Sequence, residues 1–321
     1  ADSHHADVAA SLQQAVEQAL LGLARRVHER VGGQLLCLGG EVSQNARAVG
    51  RLAREGPFAR VHVPMAPGDE GNALGAALLV DRTLSHETGA QSAAPSGPRS
   101  ERSVTAWLGE EVVLDPDAEG VTLADDDAVV EALLERLLAG GLVGWMRGRA
   151  ECSGRSLGHR SLLADPRDAA SLERLVRSVK PREAFRCFHP AVAGAAADEL
   201  LALDGVAEAA RQHRVIVPAL EPLRAFAPAL LAPDGQVRPL VVDAERDPLF
   251  HRLLVRFGEA TGQPVLLHTS LNGRGDPMVR TEAEAREFAL RADLDALVVE
   301  GRLYTLQTLQ PAESAAAGAT S

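Results

Sequence analysis

Residues 264–279 read PVLLHTSLNGRGDPMV. Val265–His268 is a short apolar run with the length of a buried strand. It opens into His268-Thr269-Ser270-Leu271-Asn272-Gly273-Arg274-Gly275-Asp276. Hydroxyls, an amide, glycines and a guanidinium at the C-terminal end of a strand are what an α/β sheet uses to hold a ligand. Upstream, Pro248–Thr261 has helical periodicity and stops at Gly262. Downstream, Glu282–Ala292 reads as a helix and Ala296–Val299 as a strand. This alternation of helix and strand predicts the α/β class. A Ser or Thr nucleophile in the loop needs a nearby base. His268 is adjacent in sequence, but strand alternation sends neighbours to opposite faces, so the residues favour binding over nucleophilic catalysis.

Working outward, Val129–Leu138 reads as a helix, Leu142–Met146 as a buried strand and Asp168–Ser178 as a helix. Between the last two lies RGRAECSGRSLGHRSLLADPR (147–167), with Arg147, Arg149, Arg155, Arg160 and Arg167. Gly154 and Gly158 let the backbone approach a ligand, and guanidinium forks grip phosphate or carboxylate in pairs. The competing reading is a solvated basic loop. Lys180-Pro181-Arg182-Glu183 and then Arg186 follow a helix end. They suit either phosphate binding or the helix dipole. Lys180 is the sole lysine beside 32 arginines (33 minus 1), and the two cations are not interchangeable at a tight anion site.

Residues 1–84 form a shorter α/β piece. Val8, Leu12, Val16, Leu20, Leu23 and Val27 make a helical stripe. Leu35–Leu38 is a strand that runs through Gly39-Gly40 into a helix from Ser43 to Glu55. Gly-Gly between strand and helix is either a tight turn or a phosphate cradle, and Glu41 next to it disfavours phosphate. After the strand Val61–Val63, Pro67-Gly68-Asp69-Glu70-Gly71 leads into a small-residue helix over 72–84. Its carboxylates either cap that helix or contribute to a metal site with ligands from elsewhere. Residues 85–103 are rich in Ser, Ala, Gly and Pro and read as a linker, and 309–321 as a disordered tail. A piece of 84 residues with two strands leaves sheet edges that need a partner.

The whole chain has 321 residues, 46% hydrophobic and 24% charged, as expected for two globular domains of about 150 residues. A net charge of -11 argues against nucleic-acid binding. No apolar run of 18 residues and no signal peptide is present, so no membrane association is expected. Cys37, Cys152 and Cys187 lack ligand spacing and read as reduced thiols of a cytoplasmic protein. The absence of a starting Met reads as a processed chain or a fragment. Together the residues describe an arginine-rich site for a phosphorylated small molecule such as a nucleotide.

Six stretches in order, CLGGEVSQN (37–45), VPMAPGDEGNALGAAL (63–78), GRAECSGRSLGHRSLLADPR (148–167), KPREAFRCFHP (180–190), DPLFHRLLVRFGEATG (247–262) and PVLLHTSLNGRGDPMV (264–279), resemble the O-carbamoyltransferases that decorate antibiotics and nodulation factors. The resemblance implies an incomplete actin/hexokinase-like ATPase-type subdomain over 1–84, which transfers the carbamoyl group, and an α/β (α+β) carbamoyl-adenylate-synthase-like domain over 104–308. The latter makes carbamoyl-adenylate from carbamoyl phosphate and ATP. It also implies Lys180, Arg155 and Arg160 as catalytic residues. Arg149, Ser161, Arg182, Thr269, Ser270, Asn272 and Arg274 join them in holding ATP and carbamoyl phosphate. Gly39, Gly40 and Asn45 would bind nucleotide in the partial transfer domain, and Asp69 a divalent metal, Fe or Mg.

The chain departs from that pattern. The family's N-terminal half, with its HxxxH metal pair, is absent, and the adjacent His4 and His5 are no substitute. Glu41 stands where a second glycine is usual, and His268 and Gly273 replace Asn and Val. The expectation is therefore one chain of a split O-carbamoyltransferase, completed by a second chain and acting on a small-molecule hydroxyl. The alternatives are a standalone carbamoyl-adenylate synthase and a non-catalytic subunit that stabilises an intact homologue.

Overall fold

The computed structural model describes residues 3–89, 106–152, 154–181 and 186–309. They fall into two compact units. The described residues up to Ala106, together with Asp204–Ala209, form the first; Trp107–Leu203 and the described residues from Ala210 onward form the second.

In the first unit, α1 (Ser3–Val31), β1 (Leu35–Cys37), α2 (Ala46–Glu55), β2 (Arg60–His62) and α3 (Asp69–Thr88) follow in order. β1 and β2 pair in parallel, with Leu36 opposite Val61. Leu21 and Ala24 of α1, Val49 and Leu52 of α2, and Phe58, Val61 and Val63 are the buried centre. α2 starts three residues later than its sequence suggests because Glu41–Gln44 forms a 3₁₀ turn. Asn45 then caps the helix by accepting the Ala48 N–H at 3.1 Å. α3 runs to Thr88, so the first residues of the expected linker are helical, and Gly89 ends the helix in the left-handed region at φ 66°. The rest of the linker and the tail from residue 310 lie outside the described residues. α3 buries none of its 20 residues.

The second unit is built on one mixed sheet of eight strands, in the order β3-β12-β11-β4-β5-β10-β6-β9. Along the chain its elements are β3 (Val121–Thr122), α4 (Asp126–Leu138), β4 (Val143–Met146), β5 (Arg160–Ala164), α5 (Ala169–Arg174), β6 (His189–Ala193), α6 (Ala197–Leu200) and α7 (Ala207–Arg211), whose first three residues belong to the first unit. Next come β7 (Val217–Pro218), α8 (Glu221–Phe226), β8 (Gln236–Val237), β9 (Leu240–Val242), α9 (Pro248–Thr261), β10 (Val265–Ser270), α10 (Glu282–Arg291), β11 (Ala296–Val299), β12 (Arg302–Thr305) and α11 (Leu306–Leu309). β4 pairs in parallel with β11, and β6 with β9. β10 lies antiparallel to both β5 and β6. α4 and α9 pack against each other, with Leu133, Leu137, Phe250 and Phe257 buried beside Trp145 of β4.

Two features of this unit correct the sequence reading. Arg160–Ala164, expected inside an arginine-rich loop, is a fully buried strand of the sheet. The expected helix Asp168–Ser178 is α5 followed by a π-helical turn, Leu175–Val179, whose last bond runs from Lys180 N to Leu175 O at 2.8 Å. Such an inserted residue commonly marks a functional site.

Candidate functional site

Strand register places the candidates. Ser270 pairs with Ser161, Thr269 with Leu162, and His268 with Leu163. Side chains alternate, so Ser161, His268 and Ser270 share one face of the sheet, while Arg160 and Thr269 lie on the other. The expected binding pair Thr269 and Ser270 is therefore divided, and Ser270 alone meets Lys180.

Lys180 leaves the π-turn and donates from Nζ to Ser270 Oγ at 3.1 Å and to Asn272 Oδ1 at 2.5 Å. The Ser270 hydroxyl donates to the same Asn272 oxygen at 2.7 Å, and Asn272 Nδ2 donates to Asp276 O at 2.6 Å. The ammonium of one motif and the hydroxyl and amide of another are thus one hydrogen-bonded group. Arg274 is exposed on the turn beyond it. Arg182 lies outside the described residues.

The loop between β4 and β5 is wrapped around a carboxylate. Glu151 Oε1 accepts the N–H groups of Leu157, His159 and Arg160 at 2.8, 2.9 and 3.0 Å. Glu151 is 7% exposed, and its other oxygen has no hydrogen-bond partner. Arg160, expected to be catalytic, is 1% exposed. Its guanidinium donates to the carbonyls of Arg147, Gly148 and His159. It braces the loop through its two terminal nitrogens, both engaged by backbone carbonyls, while its Nε is buried without a partner. Ser161, expected to bind ligand, is fully buried against Ser156 and His268. Arg149 is exposed and donates to Leu108 O at 3.0 Å.

Arg155, on that loop, has cationic neighbours. Its pKa is lowered by desolvation and then by the charges of Arg214 and Arg186. Arg238 is buried, donates from Nε to His213 O at 2.9 Å, and leaves Nη2 without a partner. Burial, Arg155 and Arg214 bring its pKa down to about 9. The rings of His189 and His268 lie 4.9 and 6.0 Å from that of His213. His268 is held neutral, with a pKa of about 3, by burial and by the charge of Lys180. The charges that perturb Arg155, Arg238, His213 and His268 are all positive. Such a concentration favours a polyanionic ligand. Arg214 and Arg238 were not foreseen; they stand outside the arginine-rich stretch, the first shortly before β7 and the second just after β8. Glu151 sits in that stretch, but nothing in sequence separates a buried carboxylate from a solvated one.

In the first unit the expected nucleotide residues have local tasks. Gly40, at φ 86°, donates its N–H to Pro67 O at 2.7 Å, which is the tight-turn arrangement. Asn45 caps α2 and exchanges hydrogen bonds with Gln13 at 3.1 and 2.9 Å. Gly39 is exposed. Asp69 is exposed in the first turn of α3, where Asn72 donates to it at 3.4 Å. Among the described residues no group of three His, Cys, Asp or Glu is placed to hold a metal ion, so Asp69 alone does not fit one. Nor is any helix there long and apolar enough to cross a membrane.

Residues 134–305 match the family model of the carbamoyltransferase C-terminus, and residues 1–78 that of the carbamoyltransferase N-terminus. The chain belongs to the carbamoyltransferase family. Among its curated relatives within that family is nodulation protein NolNO of Sinorhizobium fredii, 34% identical over 96% of this chain and 45% of that protein. Another is the 3'-hydroxymethylcephem-O-carbamoyltransferase of Streptomyces clavuligerus, 29% identical over 92% of this chain and 53% of that enzyme. The chain spans about half the length of these carbamoyltransferase relatives. A solved structure, E. coli YciO, overlaps 58% of the chain with 14% identity and a TM-score of 0.37.

Proposed function

We propose that the second unit activates carbamoyl phosphate with ATP, and that within a complete carbamoyltransferase the carbamoyl group then passes to a hydroxyl of a small molecule. The observation that carries this reading is the Lys180–Ser270–Asn272 group together with a cluster of side chains whose perturbing charges are all cationic. In the proposed step, water releases carbamate and phosphate from carbamoyl phosphate. A carbamate oxygen then attacks the α-phosphorus of ATP, the bond to the β-phosphate oxygen breaks, and carbamoyl-adenylate and pyrophosphate form. Phosphoryl transfer needs little more from a protein than placement and charge compensation. Lys180, Arg155 and Arg238 supply the positive charge, and Ser270 and Asn272 fix the amine.

The first unit is read as the C-terminal part of an ATPase-like transfer domain. The supporting observation is α3, whose Leu74, Leu78, Leu79, Val80 and Leu84 are 41 to 67% exposed. A helix apolar on several sides is normally covered by protein, and the remaining half of a carbamoyltransferase, on the same chain or a second one, is the proposed cover. The acceptor hydroxyl and any divalent metal belong to that proposed assembly.

The test is carbamoyl-phosphate-dependent exchange of labelled pyrophosphate into ATP, with the chain alone and with a candidate partner. Exchange by the chain alone supports a self-sufficient activating unit. Exchange only with the partner supports a split enzyme. No exchange in either case overturns the reading in favour of a non-catalytic subunit.

A further inference from the structure

We propose that His268 is a positioning residue that ties the Arg155 loop to the strand carrying Ser270. The idea rests on the reading of this cationic cluster as a polyphosphate site. His268 is 1% exposed and stands two residues before Ser270 on the same face of β10. Its Nε2 lies 3.2 Å from Ser156 Oγ and 3.0 Å from Ser161 Oγ. The two hydroxyls are 2.6 Å apart, and Ser156 Oγ also donates to Glu151 Oε1 at 3.3 Å. The second ring nitrogen, Nδ1, is buried without a partner. The aromatic neighbours of the imidazole are Phe250 and His213, at 6.2 and 6.0 Å between ring centres.

The one ring nitrogen that finds partners, Nε2, is therefore given to two serines. One of them, Ser156, directly follows Arg155. A buried polar ring is costly unless hydrogen-bonded, and an aliphatic side chain would fill the space without that cost. What the imidazole adds is the link. The link opposes a definite force, because Arg155 lies near Arg214 and Arg186, and like charges push its loop outward until an anion compensates them. Glu151 holds the loop through the N–H groups of Leu157, His159 and Arg160 and reaches Ser156 only by its long 3.3 Å hydroxyl contact. His268 and Ser156 secure the residue next to the guanidinium and fix its distance from the Lys180–Ser270 pair. Arg155 is thus presented to a ligand already in place rather than recruited by it.

The experiment compares His268→Ala, His268→Asn and Ser156→Ala in the full chain. Hydrogen exchange of a peptide covering 154–160 is followed with and without inorganic pyrophosphate, alongside pyrophosphate affinity and the KM and kcat of the exchange reaction. Expected for His268→Ala is faster amide exchange without ligand, protection regained on adding pyrophosphate, and a dissociation constant and KM raised about tenfold with kcat nearly unchanged, since only the closed-loop population falls. Ser156→Ala should behave alike, and the double variant should be no worse than His268→Ala. His268→Asn, which keeps one hydrogen bond, should lie in between. Unchanged amide exchange in His268→Ala and Ser156→Ala overturns the proposal. So does a fall in kcat with loop protection intact, which would place the ring on the reacting groups. If the wild-type chain neither binds pyrophosphate nor exchanges it, the polyphosphate reading fails, while amide exchange without ligand still decides the link.

Discussion

Lys180 Nζ stands 3.1 Å from Ser270 Oγ, across 90 residues of chain. The serine hydroxyl donates its own hydrogen bond to Asn272 Oδ1, so the amine is aimed as well as nearby. Replacing Lys180 with Ala should lower pyrophosphate exchange about 10²- to 10³-fold, the usual loss for a preorganised charged donor. The melting temperature should move little, because the side chain is only partly buried. Lys180→Arg should not restore the rate, since a planar fork cannot occupy the place of a compact ammonium. Exchange kinetics and calorimetry on the two variants check this, and wild-type rates in either would remove Lys180 from the site.

Arg155 and Arg238 should separate stability from binding. Arg155 lowers the pKa of Arg238 and is itself lowered by Arg214 and Arg186, so losing it relieves repulsion in the unliganded fold. Arg155→Ala should therefore raise the melting temperature slightly while weakening pyrophosphate binding about 10- to 100-fold, as loss of a charge-assisted hydrogen bond does. The salt dependence of binding should flatten with it. Titrations at two ionic strengths check this, and tighter or unchanged binding would count against the anion pocket.

Acid should weaken the second unit through its buried histidines. His159 is brought to a pKa of about 3 by burial and by Arg147 and Arg160, despite its hydrogen bond to Arg149 O. His268 is brought to about 3 by burial and Lys180. In the unfolded chain both titrate near about 6.5. Below that pH the unfolded state binds protons that the folded state refuses, so their contribution is complete above about 6.5 and is lost as pH falls toward about 3. Each histidine then costs up to about 1.4 kcal/mol per pH unit. The unfolding free energy should drop between pH 7 and pH 5, and His159→Gln should reduce the slope by one proton's share. Denaturant titrations across that range measure it, and an unaltered slope in the variant would refute the assignment.

Glu151→Ala should destabilise the chain by about 3 kcal/mol, because it strands three buried N–H groups at once. Glu151→Gln keeps an acceptor oxygen and should lose about 1 kcal/mol. The readout is the denaturant midpoint at constant m-value. Equal effects of the two substitutions would mean that the loop is held elsewhere.

The chain showed its α/β character, α9, β10, α10 and β11 through period and punctuation alone. β5 escaped notice because Arg160-Ser161 opens it, and a guanidinium that spends its donors on backbone carbonyls looks in sequence like one in water. Lys180, Ser270 and Asn272 were legible as separate candidates; their union depends on the register of β10 against β5 and on a turn with no periodic signature. Arg214 and Arg238 could not be singled out, since their importance comes from having cationic neighbours, which is a property of tertiary contact. The exposed side of α3 was foreshadowed by the shortage of strands in the first 84 residues.

The π-turn Leu175–Val179 makes the direction of Lys180 a matter of residue count. One residue fewer in that turn would let the helix continue at its ordinary pitch and swing position 180 by about 100° around the axis. Every side chain discussed above would still be present, yet Ser270 would face no amine. A one-residue deletion there is thus a mutation of angle rather than of chemistry, and it is as severe a lesion for this site as removing the lysine.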